Sequence, residues 1–288
     1  MVERRFGSGG SRLMEWNPDS TLKSVKTTNS AGTELTSNTY TYTGHGERAA
    51  QTGTVNGQTW SWNYQHDELG RLLLDNGPFG AGFRCDALDN RQQRITSVTE
   101  FAVHDAANRL VEIRSGSAGG PLLTVAHHDV DGQLVRLCDI RTGGTLSGTG
   151  ASCTATGAGA RQLELTWDAS GRLSQVVVNG TTTYAYTYDH ADRRLSKTVA
   201  GTTIHYAYDG DDLYARFTTG WSAPTSVTVH GGGVDEPLWE LTGATSGPSA
   251  NARYYHADGL GSVVALSAVS SGALTSERRY DAWGKVLP

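Results

Sequence analysis

The chain has 288 residues and a formal net charge of −5, so it lacks the basic surface that binding to nucleic acid or to an anionic membrane usually requires. Its length allows one large domain or two domains of ordinary size. Only four of the 24 basic residues are Lys, and this excess of Arg favours pairing with carboxylates and stacking on aromatic rings.

The N-terminal segment, residues 1–39, shows little regular pattern. Its first residues, MVERRFGSGGSRLMEW, contain no apolar run of signal-peptide length. No later stretch approaches the roughly 20 apolar residues of a membrane-spanning helix. We therefore expect no membrane span, and we expect the chain to be an internal piece of a longer protein.

Residues 40–253 repeat one phrase: an aromatic residue, Asp, two variable residues, then Gly, Asn or Asp, and Arg-Leu. Clear copies are anchored on Asp67, Asp86, Asp105, Asp129, Asp168, Asp189 and Asp209, and weaker copies lie near Asn17, Thr43, Gly231 and Asp281. The interval is near 20 residues, with one step of 39 between Asp129 and Asp168. It is too short for helix-pair repeats or propeller blades. It suits one β-hairpin, with two strands and two turns.

The residue types within each phrase also predict a hairpin. In Thr183–Tyr188, Tyr alternates with smaller residues, which places the rings on one face of a strand. The following Asp can accept a hydrogen bond from the backbone two residues on, as in an Asx turn, and the later Gly, Asn or Asp tolerates a positive φ. The Arg can reach that Asp or lie over the Tyr. Because no stretch shows a helical period, the sequence predicts an all-β fold.

Residues 139–160 form a loop rich in Gly, Ser and Thr, with Cys138 before it and Cys153 within it. We interpret the step of 39 residues across this loop as two periods in which one copy has been lost. A disulfide between the two cysteines would stabilise the fold by up to about 3 kcal/mol; the alternative is two unpaired thiols beside an unstructured loop, and both interpretations stay open. Cys85 occupies an aromatic position of the repeat and is expected to be a small core residue.

The closing segment, residues 254–288, contains YYHADGLGSVVALSAVSSGALTSERRYDAWGKV. Together with the Tyr-Asp phrases it resembles the YD-repeat, or Rhs (rearrangement hotspot) core, family, found in bacterial Rhs proteins, in the shell of Tc-type toxins and in teneurins. The resemblance covers roughly residues 40–288 and is most specific in the last hundred. It implies a ribbon of antiparallel β-hairpins that spirals into part of a hollow β-shell.

The resemblance also implies a function. It implies that this chain is a non-enzymatic shell fragment, which in a longer parent protein would enclose or present a C-terminal polymorphic, toxin-like domain. Members of the family are secreted or associated with the cell surface, and we expect the same here. The expected partners are the remainder of the parent polypeptide and the enclosed domain. This chain ends at Pro288, before the D-P-x-G-L motif at which Rhs cores cleave themselves, so no catalytic residue is carried over.

The many aspartates invite an enzyme hypothesis, since paired carboxylates serve glycosidases and aspartic proteases. A residue that recurs once per repeat is better explained by turn geometry, and we predict no catalytic, cofactor or metal site. His256 and Asp258, two residues apart, could bind a metal together, but we favour a structural hydrogen bond between them.

The alternative function is an extracellular module that binds carbohydrate or a surface partner. Face-exposed aromatic rings pack against sugar rings, and Trp62 and Trp167 are the candidates. The competing interpretation is that the aromatic rings stack on one another across neighbouring strands. Because a short array of hairpins cannot close a cage, we also expect unpaired strand edges and self-association of the isolated chain.

Overall fold

The computed structural model describes residues 1–7, 9–218, 220–233, 235–243 and 251–287. Strands hold 57 % of the chain and helix 1 %, and the only helical element among the described residues is a 3₁₀ turn at Gly150–Ser152. The prediction of an all-β fold built from antiparallel hairpins is therefore confirmed.

The first half of the chain contributes fourteen strands. They are β1 Val2–Arg5, β2 Ser11–Trp16, β3 Leu22–Thr28, β4 Glu34–Tyr42, β5 Arg48–Val55, β6 Gln58–His66, β7 Leu72–Asp75, β8 Ala81–Cys85, β9 Arg91–Ile95, β10 Thr99–His104, β11 Leu110–Ser115, β12 Leu122–His128, β13 Leu134–Asp139 and β14 Thr145–Ser147.

The second half contributes fourteen more. They are β15 Thr154–Thr156, β16 Arg161–Trp167, β17 Leu173–Val178, β18 Thr182–Tyr188, β19 Arg194–Val199, β20 Thr202–Asp209, β21 Asp212–Phe217, β22 Ser226–His230, β23 Pro237–Thr242, β24 Ala252–Ala257, β25 Val263–Ala268, β26 Leu274–Glu277, β27 Arg279–Tyr280 and β28 Val286–Leu287.

The chain divides into two compact units. The first comprises Met1–Ala81, Ala207–Phe217 and Ser222–Pro288. It contains two antiparallel ladders, in which each strand from β1 to β7 pairs with the next and each strand from β21 to β26 pairs with the next. Residues from both ladders fill its interior; the buried apolar side chains include Val25, Tyr40, Val55, Trp62, Ala252 and Val264.

The second unit comprises Gly82–Tyr206 and Thr218–Trp221. Its ladder runs from β8 through β13 and continues from β16 to β20. The short hairpin of β14 and β15 lies outside this ladder and pairs only with itself. Cys85 in β8 is a free thiol that is only partly buried, which does not fit the core position expected for it.

The pairing of β13 with β16 shows how the long step between Asp129 and Asp168 is accommodated. Arg136 faces Glu164 and Asp139 faces Arg161 in this ladder, so the two strands are direct neighbours. The extra residues are an insertion into the connection between them, and they hold the short hairpin of β14 and β15. The interpretation that a repeat copy has been lost here stays a prediction.

Candidate functional site

Nine turns share one side-chain hydrogen-bond pattern. In each, Oδ1 of the first residue accepts the backbone N–H groups two and four residues on, as Asp105 Oδ1 does from Ala107 and Arg109, at 2.9 Å each. The nine first residues are Asn29, Asp67, Asp86, Asp105, Asp129, Asp168, Asp189, Asp258 and Asp281. The predicted Asx turn is thus confirmed at most of the anchors named from the sequence.

The fourth residue of these turns adopts a positive φ, as predicted. Gly70 has a φ of 76° and Gly171 one of 75°, while Asn108 and Asp192 take 65° and 61°. One strand of the hairpin shifts register just before the turn, for example between Val103 and His104. This combination is a tight turn followed by a β-bulge.

In four of the nine turns an arginine pairs with the turn aspartate, and in two places it also contacts the next turn. The guanidinium groups of Arg71, Arg109, Arg172 and Arg193 lie 2.7 to 2.8 Å from the Asp of their own turns. Nη1 of Arg109 also donates to the carbonyl of Asp129 at 3.3 Å. Nη1 of Arg172 likewise donates to Asp192 Oδ1 at 2.8 Å. A lysine ammonium could not make these forked contacts, which explains the preference for Arg.

The same contacts decide the electrostatics of the repeated aspartates. Hydrogen bonds from the Arg71 backbone and side chain lower the pKa of Asp67, and equivalent bonds in the turn of Asp105 lower the pKa of that carboxyl. A general acid needs a raised pKa so that it holds its proton near neutral pH. Asp67 and Asp105 have the opposite property, as do Asp86, Asp168 and Asp189, whose pKa is also lowered. This agrees with a structural role for these five carboxylates.

Asp258 belongs to the same class of turn, and this corrects the favoured sequence interpretation. Its Oδ1 accepts the N–H groups of Leu260 and Ser262 at 2.9 and 3.0 Å. His256 is fully buried and its Nε2 lies 2.7 Å from Oγ of Ser267. The expected hydrogen bond between His256 and Asp258 is therefore not formed, since within residues 251–287 each side chain has a different partner. Sequence reasoning expected a Gly-rich turn here but assigned the Asp258 side chain to His256 instead of to the turn backbone.

Two buried carboxyl groups differ from the others because burial raises their pKa. They are Asp75 and Asp258, which are 3 % and 7 % exposed. Asp75 Oδ1 accepts the N–H of Gly77 at 3.0 Å, and its Oδ2 accepts the N–H of Ala282 at 3.3 Å. Asp75 thus connects β7 to the closing segment, a role that its place after an apolar run, Leu72–Leu74, could not reveal.

The two tryptophans proposed to stack on sugars are engaged within the protein. Trp62 is 6 % exposed, so it does not offer the open face that stacking on a surface glycan requires. Trp167 is half-buried, and its Nε1 donates to the carbonyl of Leu134 at 2.9 Å. The tyrosine rings of β18 meet cations: Lys197 lies 5.0 Å from the ring centroid of Tyr184. The aromatic rows are therefore held by internal contacts.

Cys138 and Cys153 are joined by a disulfide with a Cα–Cα distance of 6.2 Å. Neither residue is exposed, and both pack with Val125 and Ala155 in a small core at the base of the insertion. Nε of Arg136 donates to the carbonyl of Cys153 at 2.9 Å. The inserted hairpin is thus anchored to β12 and β13 by packing, by one hydrogen bond and by the disulfide.

One group of three metal-ligating side chains occurs in the described part of the chain. Asp212, His230 and Asp235 each place a donor atom within 4.8 Å of the others. Asp212 begins β21 and His230 ends β22, so antiparallel pairing brings them to one end of the hairpin. The backbone N–H of Asp235 donates to Asp212 Oδ1 at 2.7 Å, which gives this cluster an internal partner.

When this chain is compared with known proteins, the matches found are to solved structures. No family model and no curated protein sequence matches the chain. The crystal structure of TcdB2-TccC3-TEV is 15% identical, with 99% of this chain and 17% of that chain covered and a TM-score of 0.48. TcdB2-TccC3 without its hypervariable C-terminal region is 16% identical, with coverages of 97% and 17% and a TM-score of 0.39.

This chain spans about a sixth of the length of those structures. No helix in the described residues has both the length and the apolar character needed to cross a bilayer.

Proposed function

We propose that this chain is a non-enzymatic structural segment, part of the wall of a YD-repeat β-shell. In a longer parent protein, secreted or displayed at the cell surface, it would enclose or present a C-terminal, toxin-like domain. Its partners would be the rest of its own polypeptide and that enclosed domain.

The observation that carries this proposal is that the repeated aspartates form hydrogen bonds within their own turns. Eight Asp residues that the sequence distributes along the chain all fold their own turns. Five of them, in the turns of Asp67, Asp86, Asp105, Asp168 and Asp189, have a lowered pKa. Side chains committed in this way support a role in holding a repeating wall together.

The strand edges support the same role. Within the first unit, β1 pairs with β2 and β26 pairs with β25, and neither has a second partner among the described strands. Unpaired N–H and C=O groups on such edges recruit further strands. In a longer protein the neighbouring repeats would supply those strands.

The test is the oligomeric state of the chain with and without its neighbours. Light scattering over a range of concentrations should show self-association of the isolated chain, and a version extended by the flanking sequence should be monomeric. Thr275→Lys, which places a charge on edge strand β26, should reduce self-association. Ser271→Lys, in the preceding exposed turn, is the matched control.

Two outcomes would overturn the proposal. One is an isolated chain that stays monomeric at high concentration, with the two Lys variants indistinguishable. The other is saturable binding to a glycan array that is lost in Trp167→Ala, which would make the chain a carbohydrate-binding module.

A further inference from the structure

The first unit contains a cavity of about 110 Å³. Strand β6 forms one wall with Trp60, Trp62 and Tyr64, which share a face because they are spaced two apart. Leu260, which precedes β25, and Val264, which lies in β25, line another part. The cavity thus lies among residues from both ladders of this unit, and neither ladder alone would form it.

Two glycines keep the aromatic wall in place. Gly53 is the register partner of Trp60, and a Cβ there would lie 2.9 Å from Asn38 Oδ1. A Cβ on Gly77 would lie 2.1 Å from the Trp62 ring. Because Trp62 has no room to shift past Gly77, the shape of the cavity is fixed by backbone and ring together.

Three arginines, Arg48, Arg278 and Arg279, line the cavity. Arg48 is half-buried, and its Nη1 donates to the neutral amide of Gln51 at 3.0 Å. Its guanidinium stacks 4.3 Å from the centroid of Tyr40, and no carboxylate of the described residues lies within ion-pair distance of it. Arg279 stacks 4.4 Å from the Trp60 centroid. A partly buried cation without a carboxylate is unfavourable, so this position calls for an anion.

The balance of charge selects the kind of anion. Two aspartates, Asp258 and Asp281, line the same cavity as the three arginines. Each of these carboxylates already accepts two backbone N–H groups of its own turn. The lining therefore carries one net positive charge, which suits a monoanion better than a dianion such as hydrogen phosphate.

Size limits the ligand further. A cavity of about 150 Å³ holds a benzene molecule, so a volume of about 110 Å³ accommodates a carboxylate with one or two methylene groups and excludes a sugar ring. We propose that this cavity binds the carboxylate of a short aliphatic acid, presented either by a free small molecule or by an acidic side chain of a peptide. Arg48 and Arg278 would pair with the carboxylate, and the Trp60 and Trp62 rings would pack against its methylene groups.

The experiment is a titration of the whole chain, followed by tryptophan fluorescence and by calorimetry. The probes are propionate, the uncharged propionamide, inorganic phosphate and the peptide N-acetyl-Gly-Glu-Gly-amide. We expect saturable binding of propionate or of the Glu peptide, and whichever binds more tightly identifies the source of the carboxylate. Propionamide should bind at least tenfold more weakly, because it carries no negative charge to pair with a guanidinium and has one acceptor oxygen where the carboxylate has two.

Variants distinguish binding in this cavity from non-specific binding of anions to arginine side chains elsewhere on the protein. Arg48→Gln and Arg278→Gln should each weaken binding by tenfold or more. Arg278 is exposed and has no ion-pair partner among the described residues, so we expect its replacement to leave folding unchanged. Arg5→Gln, in the edge strand β1 away from the cavity lining, should bind like the parent chain.

Several results would overturn the proposal. These are an absence of saturable binding by either carboxylate probe, equal binding of propionate and propionamide, tighter binding of phosphate than of propionate, or full binding by a correctly folded Arg278→Gln variant.

Discussion

The phenolic oxygen of Tyr40 accepts the backbone N–H of Gly259 at 2.6 Å, across a sequence separation of 219 residues. Tyr40 is 3 % exposed and lies in β4, while Gly259 follows the turn aspartate Asp258 in the closing segment. Burial, with a smaller contribution from the Asp258 carboxylate, raises the pKa of Tyr40, so the phenol stays neutral. This contact fastens the two ladders of the first unit together.

The first prediction concerns Gly259. A Cβ at this position would lie 2.7 Å from Cδ2 of Leu22 and 2.8 Å from Cζ and the hydroxyl oxygen of Tyr40. Gly259→Ala should therefore lower the free energy of unfolding by about 1–3 kcal/mol, measured by urea denaturation. Gly44→Ala is the matched control, because a Cβ on Gly44 meets nothing within 4 Å. Equal stability of the two variants would contradict the tight contact at Tyr40.

The second prediction concerns the repeated turn at Asp168. Asp168→Asn keeps an oxygen that accepts the N–H groups of Ser170 and Arg172 but loses the ion pair with the Arg172 guanidinium. Asp168→Ala loses both. Since Asn29 already makes the same backbone contacts with a neutral amide, the melting temperature should fall least for Asn and most for Ala. A variant order in which Asn is as harmful as Ala would give the ion pair, rather than the turn, the main role.

The turn could be predicted from the sequence because its determinants lie within five consecutive residues. Asp at the first position and Gly, Asn or Asp at the fourth specify the backbone geometry without help from the rest of the fold. The prediction failed at Asp209, where β20 ends and β21 begins at Asp212. At Asp258 the partner was wrong, since the side chain accepts the N–H groups of Leu260 and Ser262 and does not pair with His256.

Long-range contacts were beyond the reach of the same reasoning. Alternation places Trp60, Trp62 and Tyr64 on one face of β6, but it cannot say that the closing segment covers that face. The pairing of β13 with β16 likewise depends on residues separated by an insertion. Local sequence patterns predict the face of the strand on which a side chain lies. Its tertiary contacts depend on residues that are distant in the sequence.

The third prediction is a pH dependence that comes from His256. Its pKa is lowered to about 4, first by burial and then by the positive charge of Arg12, from an ordinary value of 6.5. Because the unfolded chain binds the proton more tightly, the stabilisation is fully present above pH 6.5 and is lost as the pH falls toward 4. The loss should reach about 3 kcal/mol, followed by urea denaturation between pH 7 and pH 4.

His256→Gln is the control for this effect. The variant should show a shallower fall in stability between pH 6.5 and pH 4, whatever its stability at pH 7. The turn aspartates with a lowered pKa do not obscure the comparison. Hydrogen bonds hold the pKa of Asp67 below its ordinary value of 3.8, so its contribution is lost only at still lower pH. Asp75 and Asp258, whose pKa is raised by burial, are present in both proteins, so the difference between the two slopes reports His256. Identical slopes for parent and variant would mean that His256 is not the group that titrates.

The fourth prediction concerns the anchored insertion. The disulfide closes a loop with a sequence separation of 15 residues, so the double variant Cys138→Ser, Cys153→Ser should lose up to about 3 kcal/mol of stability. Amide hydrogens of β14 and β15 should exchange faster, while those between β13 and β16 stay protected, because that ladder does not include the insertion. Cys85→Ser is the control, since Cys85 is a free thiol outside this core.

Because neither bonded cysteine is exposed, a reductant should cleave the disulfide only after unfolding, and cleavage in the folded chain would contradict this burial. Exchange that spreads into β13 would show that the insertion and the ladder are one cooperative element.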